Sequence, residues 1–344
     1  MKTAIQLLVF LLISTFIFAN DDEKPYMTKT FNASAVKSLN VRTSGGSISV
    51  TGKNGEAKVE VYVRSNNWNG RDELSTKEIE ERLEEYELTV AQEGETLVCK
   101  AKRKKEDWSD WKRSLNISFK ITVPEKITTD LGTSGGSIRL ANLSGTQNFG
   151  TSGGSLHLHD LSGDIKGRTS GGSINLSNCK DKLDLTTSGG SIKAENSKGD
   201  IRLSTSGGSI NLEEMDGIIK VTTSGGSVRG GGIKGELNAS TSGGSIRLNN
   251  VAASLRASTS AGSVDVEMTA LGKYLDLSTS AGGIRVQMPL DKGMDLDLRA
   301  NRVNVSRLNN FDGAFDKDRV KGKLNGGGTL VTMRANSGSI SIND

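Results

Sequence analysis

Proline, cysteine, histidine and aromatic residues are scarce in this chain of 344 residues, which has 3 Pro, 2 Cys, 2 His and 4% aromatic residues. So few aromatic residues are atypical of an ordinary enzyme core, yet the 34% hydrophobic content is too high for a disordered chain. Two cysteines form no disulfide framework. We expect Cys179 to be a buried free thiol, although the sequence leaves open whether it pairs with Cys99.

The chain also has no large excess of charge of either sign, because its 44 Lys and Arg are nearly balanced by 40 Asp and Glu, which leaves a net charge of +4. This surplus is too small to indicate a nucleic-acid partner.

Long apolar runs are limited to the first residues, where Lys2 precedes a mostly apolar stretch from Ile5 to Phe18. The stretch is shorter than a typical membrane span and ends at the small residue Ala19, so the sequence predicts a signal peptide over residues 1–19. An uncleaved anchor is the alternative. We expect an exported protein, periplasmic, cell-surface or secreted, whose mature part has no membrane span.

Glycine is abundant instead, with 42 residues, and much of it belongs to a repeat. The motif Thr-Ser-Gly-Gly-Ser begins at Thr43, Thr133, Thr151, Thr169, Thr187, Thr205, Thr223 and Thr241, and variants begin at Thr259 and Thr279. From Thr133 to Thr259 the spacing is always 18 residues. Such regularity is typical of stacked units in which each residue lies over its equivalent in the next unit.

Apolar residues recur at fixed positions in each unit, five, seven and ten residues after the Thr and two and four before it. These period-two patterns predict three short strands per unit, with corners at the glycines. The fold is therefore expected to be an all-β solenoid with 18-residue coils, right-handed in preference to left-handed. The Thr lies in phase with the apolar residues, so it should point inward and stack its hydroxyls in a ladder.

Four segments follow the signal peptide in this interpretation. Residues 20–50 hold N-terminal strands and the first unit, 51–130 a β-rich insert, 131–288 the regular solenoid and 289–344 C-terminal strands with a cap. Ser75 and Glu78 form a capping-box pattern that predicts a helix near residues 75–88 in the insert. Between Phe311 and Lys323 the sequence indicates an irregular, charged stretch.

Four features of the sequence occur together: the apolar leader, an insert that ends in Ile121-Thr-Val-Pro124, the Thr-Ser-Gly-Gly-Ser-Ile units and the closing Gly-Ser-Ile-Ser-Ile. With them the chain resembles the bacterial putative-adhesin β-strand-repeat family, a domain of unknown function. The resemblance covers nearly the whole mature chain. It implies an exported β-solenoid and supplies no catalytic residues.

Candidates for chemistry are few. His157, His159 and Asp160 occur in one unit only, so we expect no metal site there. Calcium binding is not expected either, because Ile and Leu stand where a calcium-binding nonapeptide repeat needs Gly and Asp. We predict no catalytic residue, no cofactor and no enzyme, since sugar cleavage would require convergent carboxylates.

The position six residues after each Thr is the best candidate for binding. Cations recur there at Arg139, Lys193, Arg229, Arg247 and Arg285, and Trp108 and Trp111 follow a basic run in the insert. These residues predict binding of an acidic polysaccharide or another envelope polymer, as in an adhesin. The alternatives are a structural or regulatory periplasmic protein without a polymer ligand, whose cations only keep the surface soluble, and, less favoured, a carbohydrate-active enzyme. The sequence leaves the oligomeric state open.

Overall fold

The computed structural model describes residues 24–66, 74–104, 114–305 and 308–344. The expected signal peptide lies outside these ranges. Within them, no helix is long and apolar enough to cross a membrane.

Parallel strands stacked in register form the main body, as expected for a β-solenoid. Residues 18 apart in sequence pair directly, for example Ile192 with Ile210 and Ile210 with Val228. The strands of this body are β8 Thr128–Thr133, β9 Ile138–Thr151, β10 Leu156–Thr169, β11 Ile174–Ser177, β12 Lys180–Thr187, β13 Ile192–Thr205, β14 Ile210–Thr223, β15 Val228–Thr241, β16 Ile246–Thr259, β17 Val264–Thr279 and β18 Ile284–Gln287.

Each coil turns three corners. The glycines of the repeat predicted two of them. The Ser-Gly-Gly-Ser segment makes the first corner, and a left-handed glycine such as Gly163 makes the third. Between them, the residue nine after the Thr also has positive φ, as in Asn142 and Asn196. Asn tolerates this left-handed conformation better than most residues. We call this position column nine; it contains Asn142, Asp160, Asn178, Asn196, Glu214, Gly232 and Asn250.

The repeat Thr side chains point inward, as expected, but they do not bond to one another. The hydroxyl of Thr187 donates to the Gly172 carbonyl of the preceding coil at 2.7 Å. It also accepts the Gly190 N–H of its own coil at 3.2 Å. Because the same two bonds recur from Thr151 to Thr259, the Thr column joins neighbouring backbones at the first corner instead of forming a hydroxyl ladder.

Aliphatic side chains fill the interior along the whole stack. Ile192 and Ile210 are 0% exposed, and one continuous core extends from Val36 to Ile342. No single coil buries its apolar side chains alone, so stability comes from stacking.

The N-terminal strands and the insert form layers on the first coil. They comprise β1 Met27–Thr30, β2 Ser38–Thr43, β3 Ile48–Gly52, β4 Lys58–Ser65, β5 Tyr86–Glu93, β6 Thr96–Arg103 and β7 Leu115–Val123, with a short 3₁₀ turn Ala33–Ala35 and one helix, α1 Thr76–Leu83. β6 pairs in parallel with β2, and β7 with β3, so the insert adds a further layer to the stack. Antiparallel β4 and β5 cover that layer.

Helix α1 is shorter than predicted. Ser75 and Glu78 make the expected capping box, but the helix ends at Leu83. Tyr86 then begins β5, where its side chain is buried and its hydroxyl accepts the Leu115 N–H. Tyr86, which lies inside the range predicted to be helical, therefore belongs to the strand, because its side chain packs into the core of the sheet.

The C-terminal strands cover the other end of the solenoid, and their order in the sheet differs from their order in the sequence. The strands are β19 Met294–Val305, β20 Phe311–Phe315, β21 Arg319–Leu324 and β22 Thr329–Asn343. β22 lies between the last regular coil and β19, pairing in parallel with both. Its Ile340 pairs with Ile284, so the closing Gly-Ser-Ile-Ser-Ile segment does continue the repeat. The stretch expected to be irregular is an antiparallel hairpin of β20 and β21 instead.

Both cysteines are buried free thiols, so they do not pair. Burial raises the pKa of Cys99 to about 12 and that of Cys179 to about 11.

Candidate ligand-binding face

The residues six positions after each repeat Thr form one outward row, which we call column six. Parallel pairing aligns each member with the next coil's equivalent, as Arg229 with Arg247 and Asp265 with Arg285. Its members are Arg139, His157, Asn175, Lys193, Asn211, Arg229, Arg247, Asp265 and Arg285. The structure thus aligns the five cations singled out from the sequence in one row, in which Arg229 and Arg247 are the one pair in consecutive coils, about 4.8 Å apart.

Acidic partners neutralise much of this row. Arg247 and Arg285 lie on either side of Asp265, with Nε to carboxylate distances of 3.5 and 3.3 Å. Lys193 pairs with Glu195 at 2.5 Å, and the hydrogen bond that it donates to this carboxylate raises the pKa of Lys193. Column six is therefore a mixed-charge row and not a uniform cationic stripe.

Arg229 differs from the other cations near it. Its side chain is exposed, and within the described ranges it has no ion-pair partner within 4 Å. Its column neighbours are the amide of Asn211 and the like charge of Arg247. An arginine in this setting offers its full set of N–H donors to an external anion.

An open groove with a volume of about 850 Å³ surrounds Arg229. Three consecutive glycines, Gly230, Gly231 and Gly232, lie along it, where other coils carry an inward apolar residue and two outward side chains. Glu213 and Asn249, from the two neighbouring coils, flank Gly231 in the row eight residues after each Thr, which we call column eight. Gly231 is partly exposed, whereas Gly232 is buried.

Two polar side chains extend over the glycines from opposite sides. A Cβ at Gly232 would lie 2.1 Å from Oε1 of Glu214, and a Cβ at Gly231 would lie 2.9 Å from Oδ1 of Asn249. The glycines therefore make room for a carboxylate and an amide. Glu214 also stands in column nine with φ of +50°, a conformation that Asn adopts more readily than Glu.

His157, His159 and Asp160 lie in the coil that starts at Thr151, three coils before the first coil that lines the groove. His159 joins Asp160 at 2.9 Å through Nε2 and Ser177 at 2.8 Å through Nδ1. Burial, together with the charge of Arg139, lowers the pKa of His157. Asp160 is 44% exposed, so we interpret this row as a surface hydrogen-bond network.

Two other expectations concern tryptophans and metals. Trp108 and Trp111 lie outside the described residues. In the part of the chain that the structure describes, no group of three or more His, Cys, Asp or Glu side chains is arranged to hold a metal ion.

The fold defines a class, the β-solenoid repeat proteins. The family model of Toastrack DUF4097 matches residues 177–343, from the third regular coil through the C-terminal cap. This segment thus matches the Toastrack DUF4097 family, and the resemblance to a domain of unknown function is confirmed. No curated protein matches the sequence.

Two crystal structures are similar over most of the chain. One is described as a "putative cell adhesion protein" from Clostridium sporogenes ATCC 15579; it is 12% identical, over 93% of this chain and 99% of the other, with a TM-score of 0.19. The other is described as a "Putative lipid binding protein" from Parabacteroides distasonis ATCC 8503; it is 14% identical, over 94% and 98%, with a TM-score of 0.32. Both similarities are too weak to assign a function to this chain.

The groove residues other than the arginines were not predicted from the sequence. Their signal was nevertheless present as departures from the repeat, with Gly230 at an inward apolar position and Glu214 at a position that otherwise carries Asn, Asp or Gly. These departures also have a packing reason, since a Cβ at Gly230 would lie 2.9 Å from Cδ1 of Ile233.

Proposed function

We propose that this protein is a non-enzymatic binder of an extended anionic polysaccharide outside the cytoplasm, as an adhesin or envelope component. The polymer lies along column six, parallel to the solenoid axis. The observation that carries the proposal is the exposed guanidinium of Arg229, which has no ion-pair partner among the described residues and lies in register with Arg247 inside an open groove.

Electrostatics support an anionic ligand at this point on the face. Arg229 and Arg247 are like charges in adjacent coils, and within the described ranges Arg247 has a carboxylate within 4 Å whereas Arg229 has none. A carboxylate or phosphate between them would accept paired hydrogen bonds from both guanidinium groups and relieve their repulsion.

The repeated coils would add affinity beyond the contact at Arg229 and Arg247. Each contact with an exposed cation is weak, but a polymer that spans several coils adds contacts without a second association step. Because the charges are exposed, binding should weaken as salt rises from about 50 to about 500 mM.

Retention on immobilised polymer tests this proposal. The matrices are polygalacturonate, which carries carboxylates, and a glycerol-phosphate polymer, which carries phosphates. The variants are Arg229→Ser and the triple change of Arg229, Arg247 and Arg285 to Ser. Arg202→Ser is the matched control, because Arg202 is an exposed arginine, 62% accessible and close to Asp200, outside column six.

The parent and the Arg202 variant should be retained at low salt on at least one matrix. Arg229→Ser should elute earlier and the triple variant should not be retained, while all four proteins melt at similar temperatures. Failure of the parent to bind either matrix, or equal retention of parent and triple variant, would refute the proposal and favour a solubilising face without a polymer ligand.

A further inference from the structure

We infer that two copies of this chain associate tail to tail through strand β20, the outermost strand of the C-terminal cap. The two β20 strands pair antiparallel with Gly313 on the two-fold axis, so the sheet of one copy continues into the sheet of the other. This contact uses no residue of column six and is separate from the polymer-binding face proposed above.

Strand β20 has a free edge within the part of the chain that the structure describes. It pairs with β21 on one side, and no hydrogen bond from another described residue reaches its backbone on the other side. At the N-terminal end, by contrast, Lys29 donates to the Val90 carbonyl of β5 at 2.9 Å, so a charged side chain lies against that strand. Lysines at sheet edges prevent further pairing, whereas an edge without such protection is a template for another strand.

The core-facing side of β20 is apolar and forms the end of the solenoid interior. By direct strand pairing, one inward row reaches β20 through Leu277, Met333, Leu298, Val320 and Phe315. The first four members are 0% exposed, whereas Phe315 is 52% exposed. Its ring meets the ring of Phe311 edge to face, with centroids 6.4 Å apart. The apolar row therefore ends in an aromatic side chain that is only half covered.

The sequence of β20, Phe-Asp-Gly-Ala-Phe, is complementary to itself in the antiparallel direction. With Gly313 opposite Gly313 of the second copy, each Phe311 lies opposite a Phe315, and the two interiors meet through four aromatic rings. Cross-strand aromatic pairs are among the favourable pairs in antiparallel sheets. Because the same contact occurs on both sides of the axis, the assembly closes at two copies.

Charges on the outward side agree with this register. Asp312 lies opposite the small Ala314 of the second copy, so carboxylates do not face each other. Lys321 pairs with Ala314 in its own chain, which places it two strands, or about 10 Å, from Asp312 across the axis. The long lysine side chain can extend over Ala314 toward that carboxylate. With Asp312 on the axis instead, like charges would be directly opposite and the phenylalanines would no longer pair.

The strand contact is small, so we expect a weak dimer that depends on concentration. β20 contributes five residues, against about 20–30 from each partner in a standard interface. Sedimentation equilibrium from about 5 to about 500 µM therefore covers the range in which association should occur. The average mass of the parent should rise from that of one copy toward that of two.

Phe315→Asp places a charge in the apolar contact and should require at least tenfold higher concentration to associate. Ile218→Asp is the matched control, since Ile218 is an exposed aliphatic residue, 61% accessible, in β14 and away from the cap. This variant should associate as the parent does.

Disulfide trapping tests the register. A cysteine from Asp312→Cys in one copy faces a cysteine from Ala314→Cys in the other, with Cβ atoms about 5 Å apart, whereas two copies of the same variant keep their cysteines about 7 Å apart. An oxidised equimolar mixture should therefore form cross-linked dimer severalfold faster than either variant alone. The native Cys99 and Cys179 are buried and do not compete.

Equal association of Phe315→Asp and the parent would overturn the inference, as would a mixture that cross-links no faster than its components. If Phe315→Asp fails to fold, the cross-linking comparison decides. A parent that stays monomeric over the whole range would also overturn the inference and leave a strand of another protein as the occupant to seek for this edge.

Discussion

Two adjacent glycines in the first corner should respond in opposite ways to alanine. A Cβ at Gly208 would lie 2.1 Å from the Gly190 carbonyl oxygen of the preceding coil. A Cβ at Gly207 would lie 3.4 Å from the nearest atom, the Gly189 carbonyl oxygen, which is an ordinary contact. The natural sequence agrees, because Ala261 occupies the position equivalent to Gly207, whereas Gly262 follows it.

The cost of Gly208→Ala can be estimated from the structure. Relieving the overlap would require the two coils to separate by about 1 Å, and overpacking of this kind costs about 1–3 kcal/mol. Separation would also weaken the 2.8 Å hydrogen bond from Thr205 Oγ1 to the Gly190 carbonyl, which contributes about 1 kcal/mol. We expect a total of about 2–4 kcal/mol. Gly207→Ala should instead be neutral or stabilise by up to about 1 kcal/mol, because it restricts the unfolded chain.

Urea unfolding followed by circular dichroism measures this difference. With a denaturant slope of about 3 kcal/mol/M, Gly208→Ala should lower the midpoint by about 1 M, and Gly207→Ala should leave it unchanged or raise it slightly. Equal midpoints for the two variants would refute the assignment of the tight contact to the second glycine.

Four further predictions concern the interior and the solution behaviour. Ile210→Asp places a charge at a 0% exposed position and should cost several kcal/mol, so a melting temperature within a degree or two of the parent would contradict the inward columns. Thr187→Val removes the bond to Gly172 and leaves backbone groups unpaired, which should cost about 1–3 kcal/mol in urea unfolding, more than the exposed change Thr186→Val. Burial raises the pKa of Cys179 to about 11 from its usual 9.0, so the folded chain keeps its thiol proton after the unfolded chain has lost it. The stability that this thiol contributes should be intact below about pH 9 and lost as pH rises toward 11, and Cys179→Ala should reduce that decline. EDTA should leave the melting temperature of the parent unchanged, and a large drop would direct attention to metal binding.

The repeat made most of the fold predictable because stacking imposes one rule on every coil. Apolar residues at fixed positions are inward in the structure, as Ile192 and Ile210 show, and the repeat Thr is buried beside them. The parallel 18-residue register follows from the same spacing.

What the sequence did not reveal depends on contacts between segments that do not repeat. The insert stacks on the first coil, and β22 enters between the last regular coil and β19, because unpaired strand edges at both ends must be covered. The left-handed corner of column nine is occupied mostly by Asn, Asp and Glu, so the glycine pattern does not indicate it.

The sequence predicted which arginines form the candidate site, but it did not predict which of them are paired with carboxylates. The alignment of column six follows from the repeat, whereas the pairing of Arg247 and Arg285 with Asp265 depends on side-chain reach. The same reach leaves Arg229 as the cation available to a ligand within the groove.

Arginine modification with phenylglyoxal, followed by mass spectrometry of each site, tests the central claim directly. Bound polygalacturonate should slow modification of Arg229 and Arg247 several-fold and leave Arg202, outside column six, unchanged. Equal rates at Arg229 with and without polymer, or equal protection of Arg202 and Arg229, would contradict binding along this face.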